Sequence, residues 1–253
     1  MNKLRLIARL DVKNEHVIKG IHLEGLRKVG DPVELAKKYY EDGVDEIVFM
    51  DAVASLYGRN NLFDIISRAC EKVFIPITIG GGIRDLNDIE LALKSGADKV
   101  AINTAAIRNN NLIKEASRIW GSQCIVGSIE AKFKAKGKWE AFVDNGREET
   151  GLDAVDWASK LVDLGVGELM VTSIDMEGTK KGFDIELLHK INNSVDVPVI
   201  AAGGYGRVNH IIDLYETSKI SGVALASILH YSIDTCASIK HELNINDINV
   251  RVL

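Results

Sequence analysis

The 253-residue sequence predicts an α/β fold: a single (β/α)8 TIM barrel over residues 1–253, built from two duplicated half-barrels. Three observations carry that prediction. Short β-branched runs alternate with longer helical patterns, the mark of βα units and a parallel sheet. There are eight such units, whereas an open doubly wound sheet more often stops at about five or six strands. The length suits one barrel of roughly 250 residues, and no low-complexity or linker-like stretch interrupts it.

In chain order, strands are expected at Leu6–Val12, Asp45–Asp51, Ile75–Gly81, Lys99–Asn103, Cys124–Glu130, Glu168–Asp175, Val197–Gly203 and Gly222–Ser227. Helical patterns lie between them at Pro32–Asp42, Asp85–Ser95, Leu152–Leu164 and Asp184–Ile191. The halves echo each other. Asp42–Ile47 resembles Asp163–Leu169, Pro76–Gly82 resembles Pro198–Gly204, and Lys99–Thr104 resembles Gly222–Ser227. The matching positions keep one offset of roughly 120 residues, and self-similarity at a fixed register marks a structural repeat.

Composition bounds the function. Hydrophobic residues make up 46% and charged residues 26%, enough apolar material for a large core. A net charge of −5 gives no reason to expect nucleic acid or an anionic membrane as partner. An anionic ligand must then be held by local dipoles and a few placed cations. Cys70, Cys124 and Cys236 are far apart and form no CxxC or Cys/His cluster, so neither a metal site nor a disulfide framework is expected, and no cofactor is implied. No apolar run approaches the roughly 20 residues of a membrane span, and the first residues lead straight into a strand. A reduced, cytoplasmic compartment is expected.

The repeat predicts two equivalent anion sites. Gly80-Gly81-Gly82 and Gly203-Gly204 follow the third and seventh strands, while Asn103-Thr104 and Ala226-Ser227 close the fourth and eighth. Glycine lets backbone N–H groups approach phosphate oxygens, and the small hydroxyl residue adds a donor. A small molecule with a phosphate at each end is the natural ligand. Asp11, Asp51, Glu130 and Asp175 end their strands at the mouth, where barrel enzymes keep catalytic groups. Asp11 and Glu130 are repeat partners, and opposed carboxyls suit acid–base work because their surroundings can separate their pKa values.

Further stretches carry a family resemblance across essentially the whole chain. They are Ile7-Ala8-Arg9-Leu10-Asp11-Val12-Lys13, Val17-Ile18-Lys19-Gly20, Leu26-Arg27, Gly30-Asp31-Pro32, Gly80-Gly81-Gly82-Ile83 and Gly96-Ala97-Asp98-Lys99-Val100. Ile102-Asn103-Thr104-Ala105-Ala106, Gly121-Ser122-Gln123, Thr172-Ser173-Ile174-Asp175 and Val250-Arg251 complete the set. Together they resemble the cyclase subunit of imidazole glycerol phosphate synthase. That family joins ammonia from a glutaminase subunit to a bisphosphorylated ribulosyl formimino-carboxamide ribotide, giving imidazole glycerol phosphate and aminoimidazole carboxamide ribotide.

The resemblance implies that Asp11 begins amination as base or acid and that Glu130 stands where the family has its second catalytic aspartate. It puts Lys19 on the loop after the first strand, touching a phosphate. Gly82, Asn103 and Thr104 hold one phosphate, and Gly204, Ala226 and Ser227 the other; Asp51, Asp175, Gly178 and Thr179 complete the substrate set. Arg5, Glu46, Lys99 and Glu168, at the strand starts, read by themselves as a structural ionic network. The resemblance makes them the gate through which ammonia enters. Asp98 and Gln123 match the glutaminase-facing surface.

The sequence departs from the family mostly at the mouth. Ala8-Arg9 replaces Pro-Cys, Ala52-Val53-Ala54-Ser55 replaces Ile-Thr-Ala-Ser, Glu177-Gly178-Thr179 replaces Asp-Gly-Thr, and Glu130 replaces aspartate. The extra methylene of Glu130 displaces its carboxyl by about 1 Å. An inward Arg9 needs an acid or phosphate partner. Two alternatives therefore stand. One is a paralogue that conveys ammonia and docks a third, amidating enzyme of surface-polysaccharide sugar synthesis. The other is a phosphoribosyl sugar isomerase barrel, against which the complete set of four gate residues argues.

Overall fold

The protein is described by a computed structural model over residues 3–52 and 62–251. The first half comprises β1 (Arg5–Lys13), β2 (His16–Ile21), β3 (Glu24–Gly30), α1 (Pro32–Glu41), β4 (Glu46–Asp51), α2 (Leu62–Cys70), β5 (Ile77–Gly80), α3 (Leu86–Lys94), β6 (Lys99–Ile102), α4 (Thr104–Arg108) and α5 (Asn110–Trp120). The second comprises β7 (Ile125–Ala135), β8 (Lys138–Val143), β9 (Glu148–Asp153), α6 (Ala154–Leu164), β10 (Glu168–Ser173), α7 (Ile185–Ser194), β11 (Val199–Ala202), α8 (Val208–Ser218), β12 (Gly222–Leu225), α9 (Ser227–His230) and α10 (Cys236–Ile245).

Eight parallel strands, in the order β1-β4-β5-β6-β7-β10-β11-β12, close on themselves where Arg5 pairs with Gly222 and Ala8 with Leu225. The fold is the expected (β/α)8 barrel. Strand alternation sorts the side chains. Ile7, Val48, Ala101, Val126, Met170 and Ile200 fill the barrel interior. Their neighbours Leu6, Ile47, Phe49, Val100, Leu169 and Val199 face outward and pack under the helices.

Local chemistry sets the helix ends. Asp31 accepts hydrogen bonds from the Val33 and Glu34 N–H groups ahead of Pro32, which opens α1. Asp153 does the same for Val155 and Asp156, so α6 starts at Ala154 and not at Leu152, which belongs to β9. Left-handed Gly165 stops that helix.

Both halves begin alike, with a long strand that runs past the barrel rim into an antiparallel hairpin: β1 into β2–β3, and β7 into β8–β9. Asp11 and Glu130 therefore sit at the rim without ending their strands. Neither hairpin was expected from the sequence. His22 and Leu23, both at positive φ, turn the first one. The His22 N–H donates to the Glu177 carbonyl at 2.9 Å, and Leu23 packs with Phe142 and Ile174. These contacts clasp the hairpin over the mouth.

Candidate active site at the barrel mouth

Alternation along β1 puts Arg5, Ile7, Arg9 and Asp11 on the inner face, from floor to mouth. Arg9 is buried, and its Nε donates to Asp11 Oδ1 at 2.9 Å while Nη1 donates to Thr172 Oγ1 at 2.8 Å. The sequence requirement for an acidic partner is met by Asp11. Lys19 lies in strand β2 and not in an irregular loop; its Nζ bonds Glu177 and stands 3.7 Å from Asp11 Oδ2. The antiparallel pairing of Val17 with Val12 and Ile18 with Asp11 fixes that position, and Val17, Ile18 and Lys19 are all buried.

The two repeat-related carboxyls differ in environment. Burial would raise the Asp11 carboxyl, but Arg9 and then Lys19 outweigh it and hold the group below the ordinary carboxylate range. Burial pushes Glu130 up to about 7; Arg9 and the Gly146 N–H oppose the rise, and nearby Asp11 adds to it. Glu130 Oε2 accepts from Gly146 N at 2.8 Å and from Asn103 Nδ2 at 3.1 Å. At neutral pH one carboxyl is ionised and the other is close to half-protonated, a pairing suited to moving a proton. His230, which bonds the Tyr39 hydroxyl through Nδ1 at 2.7 Å, is lowered to about 4 by burial and by Lys19.

A cavity of about 250 Å³ opens beside Glu130, lined by Asp51, Gly82, Asn103 and Thr104. Gly81, at φ +82, could carry no side chain: a Cβ would stand 2.2 Å from the Asp51 carbonyl. Asn103 also bonds the Phe142 carbonyl, and Thr104 Oγ1 accepts from Asp144 N, which leaves its hydroxyl proton free to donate. Arg84 and Arg108 rim the same cavity, a pair the sequence reading missed because each lies just past the end of a motif that was read for its glycines or its Asn-Thr.

Across the barrel, Gly204, Ala226, Ser227 and Gly178 line a recess of about 20 Å³ with Arg9 and Glu177. A larger cavity of about 560 Å³ adjoins Ser227 and Gly178, carrying Lys19, Arg27 and Lys180. Thr179 directs its hydroxyl to the Met176 carbonyl at 2.7 Å. Asp175 is engaged by the second hairpin, where its carboxylate accepts from Phe133 N at 2.7 Å. Gly204, at φ +103, would press a Cβ to 1.9 Å from the Gly182 carbonyl. Gly204→Ala is therefore expected to shift the midpoint of urea unfolding downward by the equivalent of more than about 1 kcal/mol, and an unchanged midpoint would show the turn to be adaptable.

At the opposite end, the four strand-start charges form a closed ring. Arg5 reaches Glu46 at 2.6 Å and Glu168 at 2.5 Å; Lys99 reaches Glu46 at 3.2 Å and Glu168 at 2.8 Å. Each acid touches both cations. Against the cost of burial, Glu168 and Glu46 hold the Arg5 guanidinium above its ordinary pKa. Asp98 and Gln123 are exposed near this end, Asp98 also accepting from Ile77 N at 2.8 Å. Val53, Ala54 and Ser55, part of the departure after the second barrel strand, lie outside the described residues.

The structure is thus an α/β barrel with two buried carboxyls and glycine turns at its mouth and an ionic ring at its floor. Among known proteins, the model of the family described as histidine biosynthesis protein matches residues 5–235. The chain is 58% identical over 208 residues to imidazole glycerol phosphate synthase subunit HisF of Legionella pneumophila, covering 82% of this chain and 98% of that one. It is 46% identical over 248 residues to the subunit of the same name from Bacillus cereus strain G9842, covering 98% of each. The chain belongs to the family of imidazole glycerol phosphate synthase cyclase subunits, enzymes of lyase type.

Proposed function

We propose that the chain, as one (β/α)8 domain in the cytoplasm, combines ammonia with a bisphosphorylated formimino-carboxamide ribotide to give imidazole glycerol phosphate and aminoimidazole carboxamide ribotide. The observation that carries this reading is the split pair at the mouth: Asp11 held ionised and Glu130 raised to about 7 in one buried site. Asp11 takes a proton from the nitrogen as it adds to the substrate carbonyl. The carbonyl oxygen leaves as water, and Glu130 supplies a proton to the aminoimidazole carboxamide ribotide nitrogen as the ring closes and that group departs.

One phosphate occupies the cavity of Gly82, Asn103 and Thr104, with Asp51 beside it and Arg84 and Arg108 as counter-charges. The other sits where the recess of Gly204, Ala226 and Ser227 opens into the larger cavity, served by Lys19, Gly178 and Thr179. Asp175 supports the site through the hairpin. Ammonia comes from a glutaminase subunit seated over Asp98 and Gln123 and passes the ring of Arg5, Glu46, Lys99 and Glu168. Glutamine is then expected to replace ammonium as nitrogen source only once that subunit is added. The relatives' names favour neither the amidation scaffold with its third enzyme nor the isomerase.

The pH dependence tests the acid–base assignment. A group that must donate is lost as pH rises through its pKa, so kcat/KM for the bisphosphate, expressed per free ammonia, should fall about tenfold per pH unit above about 7. Glu130→Gln should remove that limb and lower the plateau by roughly 100-fold or more. A limb that persists in the variant would assign the proton to another group.

A further inference from the structure

Arg9 is a buried charged group of the mouth, 3% exposed, and the reaction as proposed leaves it without a role. It stands on the same inner face of β1 as Asp11, two residues earlier, so both side chains point into the barrel. Two hydrogen bonds and one recess define its setting. Nε is 2.9 Å from Asp11 Oδ1, Nη1 is 2.8 Å from Thr172 Oγ1 on the far wall, and the same side chain lines the recess shared by Gly204 and Ser227. A guanidinium carries five N–H donors in a rigid plane, so holding Asp11 and Thr172 leaves donors for the recess.

We infer that Arg9 is a positioning residue, which fixes Asp11 as an aimed carboxylate and, through its recess-facing side, couples that carboxylate to an anion bound between Gly204 and Ser227. The inference rests on the proposed roles of Asp11 and of the recess. Its physical basis is charge and reach. A buried guanidinium needs a fixed carboxylate, and a buried carboxylate stays ionised only beside such a cation. Thr172 prevents the guanidinium from swinging away with the acid. Other groups face Asp11 from neighbouring elements: Lys19 from β2, His230 from α9 and Glu130 from β7. Lys19 is already committed to Glu177, and His230 stays neutral over most of the working range. Among the described residues, Arg9 is the cation that holds Asp11 at hydrogen-bond distance, with the Glu177 and Glu130 carboxyls also acting on it.

The test follows the Asp11 carboxyl directly, without relying on turnover. In the full chain labelled with [13Cγ]-aspartate, the Asp11 resonance is assigned by its loss in Asp11→Asn and followed from pH 8 to pH 4. In the unaltered protein most of its titration should fall below that window, because Arg9 and Lys19 hold the carboxyl down. In Arg9→Met it should titrate within that range, a rise of at least about one unit, or tenfold in proton affinity. Arg9→Lys keeps the charge and loses the fork, and should move in the same direction by less. Inorganic phosphate is the probe for the coupling: saturating phosphate should shift the Asp11 resonance in the unaltered protein and leave it in place in Arg9→Met. An Asp11 signal equally flat in Arg9→Met overturns the inference, as does an unmoved signal in Arg9→Lys should Arg9→Met fail to fold. Failure of the unaltered chain to make imidazole product would refute the proposed reaction and leave this titration readable.

Discussion

Asp11→Asn is expected to lower ammonium-dependent turnover of the bisphosphate by roughly 100- to 10,000-fold, the range for loss of a positioned acid–base group. The amide is nearly isosteric, so the barrel should stay folded. It cannot accept a proton, and it faces Arg9 and Lys19 without a charge. The loss should therefore appear in kcat, with a smaller change in KM. The same substitution leaves the buried Arg9 without its carboxylate. Some stability must go with the activity, and unfolding in urea separates the two effects. Turnover within tenfold of the unaltered protein would remove Asp11 from the chemistry.

Lys99→Met is expected to destabilise the protein by about 3 kcal/mol, near the lower end for breaking a buried ion pair. The floor ring holds two cations and two carboxylates, and Glu46 and Glu168 each touch both cations. Removing Lys99 leaves Arg5 alone to neutralise two acids that are 8% and 7% exposed. Adding Glu46→Gln to Lys99→Met restores the balance of charge and should recover part of the lost stability. If the single variant unfolds at the same urea concentration as the unaltered chain, the ring contributes nothing to the fold.

The barrel was legible because its signal is repeated. Eight apolar runs and a near-constant offset each point to the same closed sheet, so an error in one strand end costs little. The floor ring was legible as charges at strand starts, although only the closed barrel shows that Glu168 bridges Arg5 and Lys99. The mouth was less readable. Asp11 and Glu130 could be named from the repeat, but their opposite pKa shifts depend on the burial that raises Glu130 and on Arg9 and Lys19, which hold Asp11 down against its own burial. Lys19 and Glu177 are far apart in sequence, and no local pattern announces their contact. The hairpins were missed because their strands are short and partly polar, and much of β3 and β9 is exposed. Arg84 and Arg108 lie in stretches whose chemistry becomes visible only around the cavity.

The most direct test of the proposed chemistry is incubation of the purified chain alone with 15N-ammonium chloride and the bisphosphorylated ribotide, followed by mass spectrometry of the products. The expected product is imidazole glycerol phosphate with one 15N in its ring, formed together with unlabelled aminoimidazole carboxamide ribotide. Recovery of the bisphosphate unchanged by a folded chain that still binds it would contradict the account.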